Sequence, residues 1–318
     1  MRISVIGCGR WGSCIAWYLD SLGHEVSLYG RESSANMQRL MATRSNDYLT
    51  LPESIELTNS LQRVLENEII VISISSQQLQ GLCGEMSALG CEGKTVVLCM
   101  KGIEIGSCRR LTEVAEQSLP ASCRAAVWLG PGHVQEITER IPNCMVIDSA
   151  HEQVRDRLVE LFSGGRIRFY YGADLIGNEI GAAAKNVIGI AAGVLDGYGL
   201  STMKGALMSR GTREIARLIK AMGGNELSAY GLCHLGDYEA TVFSRHSQNR
   251  RFGEAHVKGE SFTKLAEGYY TVRALMQLGE AYGTELPICT AVYRMLYEGA
   301  DAYQEIEALF QRSLTQEF

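Results

Sequence analysis

The sequence of 318 residues lacks several features that would point to particular classes of protein. It has no excess of basic residues, since 30 lysines and arginines against 36 acidic residues give a net charge of -6. This balance excludes a basic surface for nucleic acid or anionic lipid. No apolar run approaches the roughly 18 residues of a membrane span. We therefore expect no nucleic-acid partner and no stable membrane insertion.

Paired cysteine motifs are also missing. The ten cysteines are scattered without a C-x-x-C pair, and most have apolar neighbours. This pattern favours reduced thiols in a core over disulfides, and His234 and His246 have no second ligand at metal-binding spacing, so we expect no metal site. Met1 and Arg2 lead directly into an apolar run, which leaves no room for a signal peptide and predicts a cytoplasmic protein.

The first twelve residues predict a nucleotide-binding turn. An apolar run, Ile3 to Ile6, is followed by Gly7, Gly9 and Gly12 in the G-x-G-x-x-G spacing and then by an amphipathic stretch. The first glycine permits a tight turn, the second lets the backbone approach a diphosphate, and the third lets the helix pack on the strand. The N–H groups at the start of that helix would hold the diphosphate.

The first half of the chain alternates strand-like runs with helical stretches. Further runs of strand type are 25–29, 69–74, 95–100, 125–129, 144–147 and 167–171. Several are continuously apolar, which is typical of strands covered on both faces by helices. The fold class is therefore α/β, with a Rossmann-like, doubly wound, mostly parallel sheet whose ligands bind at the carboxyl ends of the strands.

The sequence changes character near Asp174. Beyond Gly177 the strand-like runs stop, and Ala, Leu, Met, Glu and Arg recur at helical spacing. A chain of this length has about two domains, so we predict a nucleotide-binding domain over 1–176 and an all-helical substrate domain over 177–318. No flexible linker separates them, and we expect the first long helix of the second domain to pack on the sheet beside a cleft.

The residues after the second strand bear on the choice of cofactor. A site selective for NAD places an acidic residue there for the ribose hydroxyls, but this chain has Gly30 and Arg31. A guanidinium can face a 2′-phosphate or stack on adenine. The predicted cofactor is accordingly NADP or NAD.

Two lysines are candidates for chemistry. Lys101 follows a strand directly, at the edge where such a sheet binds ligands, and Gly102 allows close approach of a bound group. Lys185 lies among small and apolar residues from Gly181 to Gly193, so its amine must face a cavity or a partner. Burial and neighbouring cations would lower its pKa into the range useful for proton transfer.

A polar segment between Gly231 and Gly253 is the third candidate. It is rich in hydroxyl, amide and guanidinium groups, with Asp237 and Asn249 suited to hydroxyls and arginines suited to an anion. Such a mixture favours a small phosphorylated, polyhydroxy ligand, although composition alone also fits a polar surface loop.

These stretches together resemble the bacterial-type NAD(P)-dependent sn-glycerol-3-phosphate dehydrogenase family over nearly the whole chain. The matching segments are 7–12, 46–49, 101–104, Gly130 with Pro131, 185–193, 209–214, Gly236 with Asp237, 249–253, and Glu267 with Gly268. The resemblance implies reduction of dihydroxyacetone phosphate to sn-glycerol 3-phosphate, a glycerophospholipid precursor, with Lys185 as general acid and base.

The resemblance also implies roles for other residues. Lys101 would lie between nicotinamide and substrate, and Asp237 would orient Lys185 and a substrate hydroxyl. The further cofactor contacts would be Gly7, Gly9, Arg10, Trp11, Gly12, Arg31, Lys101, Val134, Gln248 and Glu267. The substrate contacts would be Lys101, Gly130, Gly132, Lys185, Asp237, Ser247 and Asn249.

The chain departs from the family pattern near the predicted site. Gln248 stands where the family has an arginine expected to bind phosphate and cofactor, so Arg245 or Arg250 would have to supply that charge, or phosphate binding is weaker. The other departures are Ser75, Leu129, Gly132 and His234. Two alternatives therefore stay open: a reductase of the same fold acting on another small ketone or hydroxy acid, and a non-catalytic NAD(P)-binding sensor. The assembly is open too, with a homodimer as one candidate.

Overall fold

The computed structural model describes residues 1–313 and 316 and contains one eight-stranded sheet. The strands are β1 (Arg2–Ile6), β2 (Glu25–Tyr29), β3 (Glu56–Thr58), β4 (Ile69–Ile72), β5 (Thr95–Leu98), β6 (Arg124–Leu129), β7 (Asn143–Asp148) and β8 (Ile167–Tyr171). Their order is β3-β2-β1-β4-β5-β6-β7-β8. All neighbours are parallel except β6 and β7. The predicted doubly wound, mostly parallel sheet is confirmed.

Helices cover both faces of this sheet. They are α1 (Arg10–Ser21), α2 (Ala35–Thr43), α3 (Leu61–Val64), α4 (Leu79–Ala88), α5 (Leu111–Ser118), α6 (Val134–Thr138) and α7 (Glu152–Phe162). All four residues of β4 are buried, as expected of a central strand with an apolar cluster on each face. On one face Trp128 packs against Tyr18, Phe162 and Phe169. We call this part, residues 1–171, the sheet half.

The rest of the described chain, from Leu175, is the helical half. Its helices are α8 (Leu175–Gly197), α9 (Lys204–Ala221), α10 (Gln248–Lys258), α11 (Glu267–Ala281), α12 (Pro287–Tyr293) and α13 (Ala302–Phe310), with short 3-10 and π turns between them. The last residues of the predicted helical domain, 314, 315, 317 and 318, lie outside the described residues.

Helix α8 is the centre of the helical half. It is apolar on all sides and is buried from Glu179 to Leu195, which is typical of a core helix. The expectation that no stretch approaches the length of a membrane span is wrong for this helix, which is long and apolar enough by length and composition. However, 83% of its most apolar window is buried inside the protein. Ala182 shares an apolar cluster with Leu129 and Val146 of the sheet, which confirms that this helix packs on the sheet.

Two features of the sheet were not predicted from the sequence. The edge strand β3 has only three residues, Glu56–Thr58, none of them fully buried, so it carries no apolar run that would identify it. The antiparallel pairing of β6 with β7 was also missed, because an apolar run indicates a buried strand but not its direction.

Candidate active site

The glycine-rich turn has the geometry that its sequence predicts. Gly7 has a φ of 112°, and a Cβ on Gly12 would lie 1.8 Å from the carbonyl oxygen of Gly7, so neither position tolerates a side chain. A Cβ on Gly9 would meet open space, and in the described chain no side chain caps the N-terminus of α1. The N–H groups there are thus free to hold a diphosphate.

Gly30 explains why no acidic residue follows β2. A Cβ at this position would lie 2.5 Å from the Sγ of Cys8 and 2.8 Å from the Cβ of Met37. The first side chain that can reach solvent after β2 is therefore that of Arg31, which is exposed. The side chain that follows β2 is thus cationic instead of acidic.

Lys101, Lys185 and Asp237 meet at the carboxyl edge of the sheet, and we call them the lysine cluster. The Nζ of Lys101 lies 2.6 Å from the Oδ2 of Asp237 and donates to the carbonyl of Gly130 at 2.6 Å. The Nζ of Lys185 lies 2.7 Å from the same Oδ2 and donates to the Oγ1 of Thr241 at 2.7 Å. The cluster thus joins the ends of β5 and β6 to the helical half.

Burial controls the electrostatics of this cluster. The side chains of Lys185 and Asp237 are 7% and 1% exposed, whereas that of Lys101 is 21% exposed. Burial lowers the pKa of Lys185 from 10.5 to about 7, with Asp237 acting in the opposite direction and the charge of Lys101 adding to the fall. An amine with this pKa can both give and take a proton near neutral pH.

One oxygen of the Asp237 carboxylate is available to a ligand. Its Oδ2 accepts from both lysines, but its Oδ1 is buried without a hydrogen-bond partner among the described residues. A buried acceptor left unpaired is costly. This oxygen can accept a hydrogen bond from a hydroxyl group of a ligand.

Close backbone packing positions Lys185 on α8. A Cβ on Gly193 would lie 1.9 Å from the carbonyl oxygen of Arg250, and one on Gly253 would lie 2.1 Å from that of Ile190. Small residues on both helices therefore let α8 and α10 touch along their backbones. This packing brings the polar segment that precedes α10 over Lys185. Thr241 lies in the one-turn π-helix of that segment, Glu239–Phe243.

Asparagine side chains connect the site to the neighbouring helices. The Nδ2 of Asn186 donates to the carbonyl of Lys101 at 2.9 Å, and its Oδ1 accepts from the Nδ2 of Asn249 at 3.0 Å. The Oδ1 of Asn249 accepts from the N–H of Gly268 at 2.9 Å. These bonds fix the loop after β5 relative to α8, α10 and α11.

Glu267 crosses between the two halves. Its carboxylate accepts from the hydroxyl of Ser76 at 2.7 Å and from the N–H of Ser76 at 3.3 Å. Gly102 is next to this pair, since a Cβ there would lie 2.5 Å from the Oγ of Ser76. The predicted cofactor residue Glu267 therefore lies at the same strand edge as Lys101.

The loop after β6 contains three more of the predicted residues. Gly130 has a φ of 121°, which permits the turn that presents its carbonyl to Lys101. A Cβ on Gly132 would lie 3.1 Å from the Cη2 of Trp11, so this loop touches the glycine-rich turn. Val134 is buried at the start of α6.

The start of α10 contains Ser247, Gln248 and Asn249. The Oγ of Ser247 caps the helix by accepting from the N–H of Arg250. The Nε2 of Gln248 donates to the carbonyl of His246 at 3.3 Å, and its Oε1 is buried without a partner in the described chain. A neutral amide thus stands where the resemblance predicts a guanidinium.

Arg250 does not replace that guanidinium. Its Nη1 bonds to the Oδ2 of Asp196 and lies 3.3 Å from the Oε2 of Glu254, and its Nε donates to the carbonyl of Ser244 at 3.1 Å. The expectation that Arg250 could supply the missing charge is therefore wrong, because two carboxylates already hold it. Arg245 is exposed.

His234 is part of the scaffold beneath the cluster. It is fully buried, with its Nδ1 2.8 Å from the carbonyl oxygen of Gly181 and its Nε2 2.7 Å from the hydroxyl of Tyr238. Burial lowers the pKa of His234 to about 4, so the ring is neutral. No group of three or more metal-ligating side chains occurs in the part of the chain that the structure describes.

Sequence reasoning missed Thr241, Asn186 and Ser76 as parts of the site. Asn186 directly follows Lys185, and Thr241 follows Asp237 by four residues, but neither spacing indicates that the side chains meet. A cavity of about 920 Å³ lies elsewhere, between α9, α12 and α13, and none of the predicted site residues lines it.

Comparisons with known proteins agree on one family. Residues 2–155 match the N-terminal and residues 174–307 the C-terminal region of NAD-dependent glycerol-3-phosphate dehydrogenase. A glycerol-3-phosphate dehydrogenase [NAD(P)+] from Pelodictyon phaeoclathratiforme is 36% identical, with 100% of this chain and 99% of the relative covered. One from Exiguobacterium sp. is 36% identical over 98% and 95% of the two chains.

A solved structure supports the same relationship. The glycerol-3-phosphate dehydrogenase of Coxiella burnetii superposes with a TM-score of 0.90 at 29% identity and covers 98% of this chain and 99% of its own. Sequence and architecture are thus similar along the full length of these proteins.

Proposed function

This chain belongs to the NAD-dependent glycerol-3-phosphate dehydrogenase family, and on that premise we propose how its residues carry out the reaction. The protein is an NAD(P)-dependent oxidoreductase that interconverts dihydroxyacetone phosphate and sn-glycerol 3-phosphate. Its product is a precursor of glycerophospholipids. The observation that carries the assignment of roles is the buried contact of Lys185 and Lys101 with one oxygen of Asp237 at the carboxyl edge of the sheet.

Lys185 is the proton donor for reduction of the ketone. When bound, the nicotinamide supplies or accepts the hydride. The protonated amine of Lys185 polarises the ketone oxygen and then gives its proton to the forming alkoxide. In the reverse direction the neutral amine takes the proton from the alcohol. A pKa of about 7 supports both directions.

Asp237 and Lys101 set the orientation and the pKa of that amine. Asp237 orients Lys185 and offers its free Oδ1 to a substrate hydroxyl, while the charge of Lys101 keeps the pKa of Lys185 low. Thr241 holds the Nζ of Lys185 from the other side. Since these contacts fix the position of the amine, little reorganisation is needed during the reaction.

The cofactor residues follow the glycine-rich turn. Gly7, Gly9 and Gly12 open the N-terminus of α1 to the diphosphate, and Arg10 and Trp11 lie in the same turn. Arg31 faces the adenosine ribose, which suits NADP as well as NAD. The remaining proposed contacts to the cofactor are Lys101, Val134, Gln248 and Glu267.

The substrate lies between the loop after β6 and the start of α10. We assign Gly130 and Gly132 to one wall and Ser247 and Asn249 to the other. Asn249 acts largely through its bonds to Asn186 and Gly268, because both ends of its amide are already used.

The domain boundaries, the location and the assembly complete the proposal. We propose a nucleotide-binding domain over 1–176 and a substrate domain over 177–318, with the lysine cluster between them. A cytoplasmic location without membrane insertion is consistent with the burial of α8, and a homodimer is the assembly that we propose to test.

A substrate panel tests the proposed function. Oxidation of NADPH and of NADH is followed with dihydroxyacetone phosphate, unphosphorylated dihydroxyacetone and several 2-keto acids. We expect rapid turnover of the phosphate ester, much slower turnover of unphosphorylated dihydroxyacetone and none of the 2-keto acids. Comparable turnover of a 2-keto acid would contradict the assignment and favour a reductase of different specificity.

A further inference from the structure

The lysine cluster does not carry enough positive charge for a phosphorylated substrate. Two lysines share the carboxylate of Asp237, so the three groups hold at most one net positive charge. A phosphate monoester carries about −1.5 to −2 at pH 7. Gln248 is neutral, and Arg250 is bound to Asp196 and Glu254.

Two imidazoles make a ring contact between the loop after β6 and the start of α10. His133 follows the loop after β6 and precedes α6, whereas His246 comes directly before Ser247 at the start of α10. Their ring centroids are 6.2 Å apart and the ring planes meet at 70°. One ring thus belongs to the sheet half and the other to the helical half, and both lie in the segments that we assign to the walls of the substrate site.

The charged groups around His133 connect it with the reaction site. Burial lowers the pKa of His133, the carboxylates of Glu136 and Asp237 act to raise it, and Arg10 and His246 act to lower it further. His133 is thus close enough to Asp237 and Arg10 to respond to both. His246 is exposed, and its N–H donates to the Oγ of Ser244 while Arg245 precedes it.

An arriving anion changes the balance at these rings. Burial lowers the pKa of His133 and favours its neutral form near pH 7, whereas a dianion beside the ring favours the protonated form. A protonated imidazole presents two donors and one positive charge. The pair can therefore supply the charge that Gln248 does not.

We propose that His133 and His246 form a clamp for the phosphate of the substrate and bind a proton as the phosphate enters. The clamp deepens the proposed function and rests on it, because it assumes a phosphorylated substrate beside Lys185. It gives this chain a titratable anion site in place of a permanent guanidinium. Phosphate affinity should fall as the pH rises and His133 loses its proton.

Matched asparagine variants of the full chain test the clamp. His133→Asn and His246→Asn keep a polar side chain but cannot become cationic, and His256→Asn is the control. His256 is exposed in the last turn of the same helix, about 12 Å from Gln248 at 1.5 Å per residue. Inorganic phosphate is titrated by calorimetry in buffers of different ionisation enthalpy, which counts the protons taken up.

We expect the two clamp variants to weaken phosphate binding and to raise the KM for dihydroxyacetone phosphate about tenfold, the size of a lost charge-assisted hydrogen bond. The turnover number and the KM for unphosphorylated dihydroxyacetone should change less than about threefold, since the lysine cluster is intact. Proton uptake should fall in both variants and stay at the wild-type value in the control.

Two results would overturn the clamp. One is unchanged phosphate affinity and proton uptake in both variants, and the other is a loss of affinity in Arg245→Gln alone. A wild-type protein that fails to reduce dihydroxyacetone phosphate would contradict the proposed function instead. The phosphate titration still decides on the clamp in that case, because it does not depend on turnover.

Discussion

Two buried ion clusters in this molecule have nearly the same composition and different properties. In the lysine cluster Asp237 bonds to Lys101 and Lys185. In the second, which we call the Asp196 cluster, Asp196 bonds to Lys204 and Arg250. Each consists of one carboxylate between two cations, and α8 contributes one member to each.

The clusters differ in how completely the carboxylate is used. In the Asp196 cluster Oδ1 accepts from the hydroxyl of Ser201 at 2.7 Å, and Oδ2 accepts from both cations. Burial alone would raise the pKa of Asp196, but the bonds from Lys204, Ser201 and Arg250 lower it below 3.8. Asp237, in contrast, keeps Oδ1 unpaired, and its partner Lys185 has a pKa of about 7.

The difference shows what distinguishes a reactive ion cluster from a structural one. A closed cluster satisfies every polar atom and fixes its ions, whereas an open one leaves an acceptor and a titratable amine for a ligand. Lys204 also donates to the carbonyl of Val242 at 3.1 Å. The closed cluster therefore stabilises the turn that contains Thr241. The structural cluster thus supports the reactive one.

Replacing the lysine of each cluster should give the largest difference between the two clusters. We expect Lys185→Met to lower the turnover number about 1,000-fold, in the range of a lost general acid. Lys204→Met should instead lower the free energy of unfolding by about 2 kcal/mol, because Asp196 loses one partner. Steady-state rates and urea unfolding measure the two effects, and NADPH titration checks that cofactor binding is retained. A Lys185→Met enzyme with a near-normal rate would remove Lys185 from its role.

The carboxylates give the second contrast. Asp237→Asn should lower turnover about 100-fold. Because Asp237 raises the pKa of Lys185, its loss should also move the pH at which reduction declines below the wild-type value of about 7. The readout is the pH profile of reduction, in which the rate falls as Lys185 loses its proton. A profile that stays in place would show that Asp237 does not act on Lys185.

Asp196→Asn is the counterpart and should act on stability. The pKa of Asp196 is lower in the folded than in the unfolded protein, so its carboxylate stabilises the fold above the unfolded value and this contribution is lost as the pH falls through the folded value. The variant should therefore be less stable at pH 7 by about 3 kcal/mol and approach the wild type below pH 3.8. A constant stability difference at all pH values would contradict this explanation.

Much of the fold could be predicted because its signals are local. Continuous apolar runs such as Ile69–Ile72 identified the central strands, and the glycine spacing identified the turn before α1. The contact of Lys185 with Asp237 could not be predicted from such local signals. Asp237 lies 52 residues further along the chain, and only the packing of the segment before α10 against α8 brings the two together.

The start of α10 gives the smallest expected effect. Neighbouring residues here contact different groups, since Asn249 bonds to Asn186 next to Lys185 and Arg250 bonds to Asp196. Gln248→Arg should lower the KM for dihydroxyacetone phosphate about fivefold and leave that for unphosphorylated dihydroxyacetone unchanged. If the KM for the phosphate ester stays the same or rises, the phosphate lies away from this helix.

The central claim is that burial, with the charge of Lys101 adding to its effect and Asp237 opposing it, brings the pKa of Lys185 into the neutral range. Direct titration of the Lys185 amine, by ¹⁵N NMR of labelled protein with Lys185→Met to assign the signal, tests it without a substrate. We predict a midpoint near 7. A midpoint near the ordinary value of 10.5 would contradict the account, because the amine would then remain charged throughout the reverse reaction.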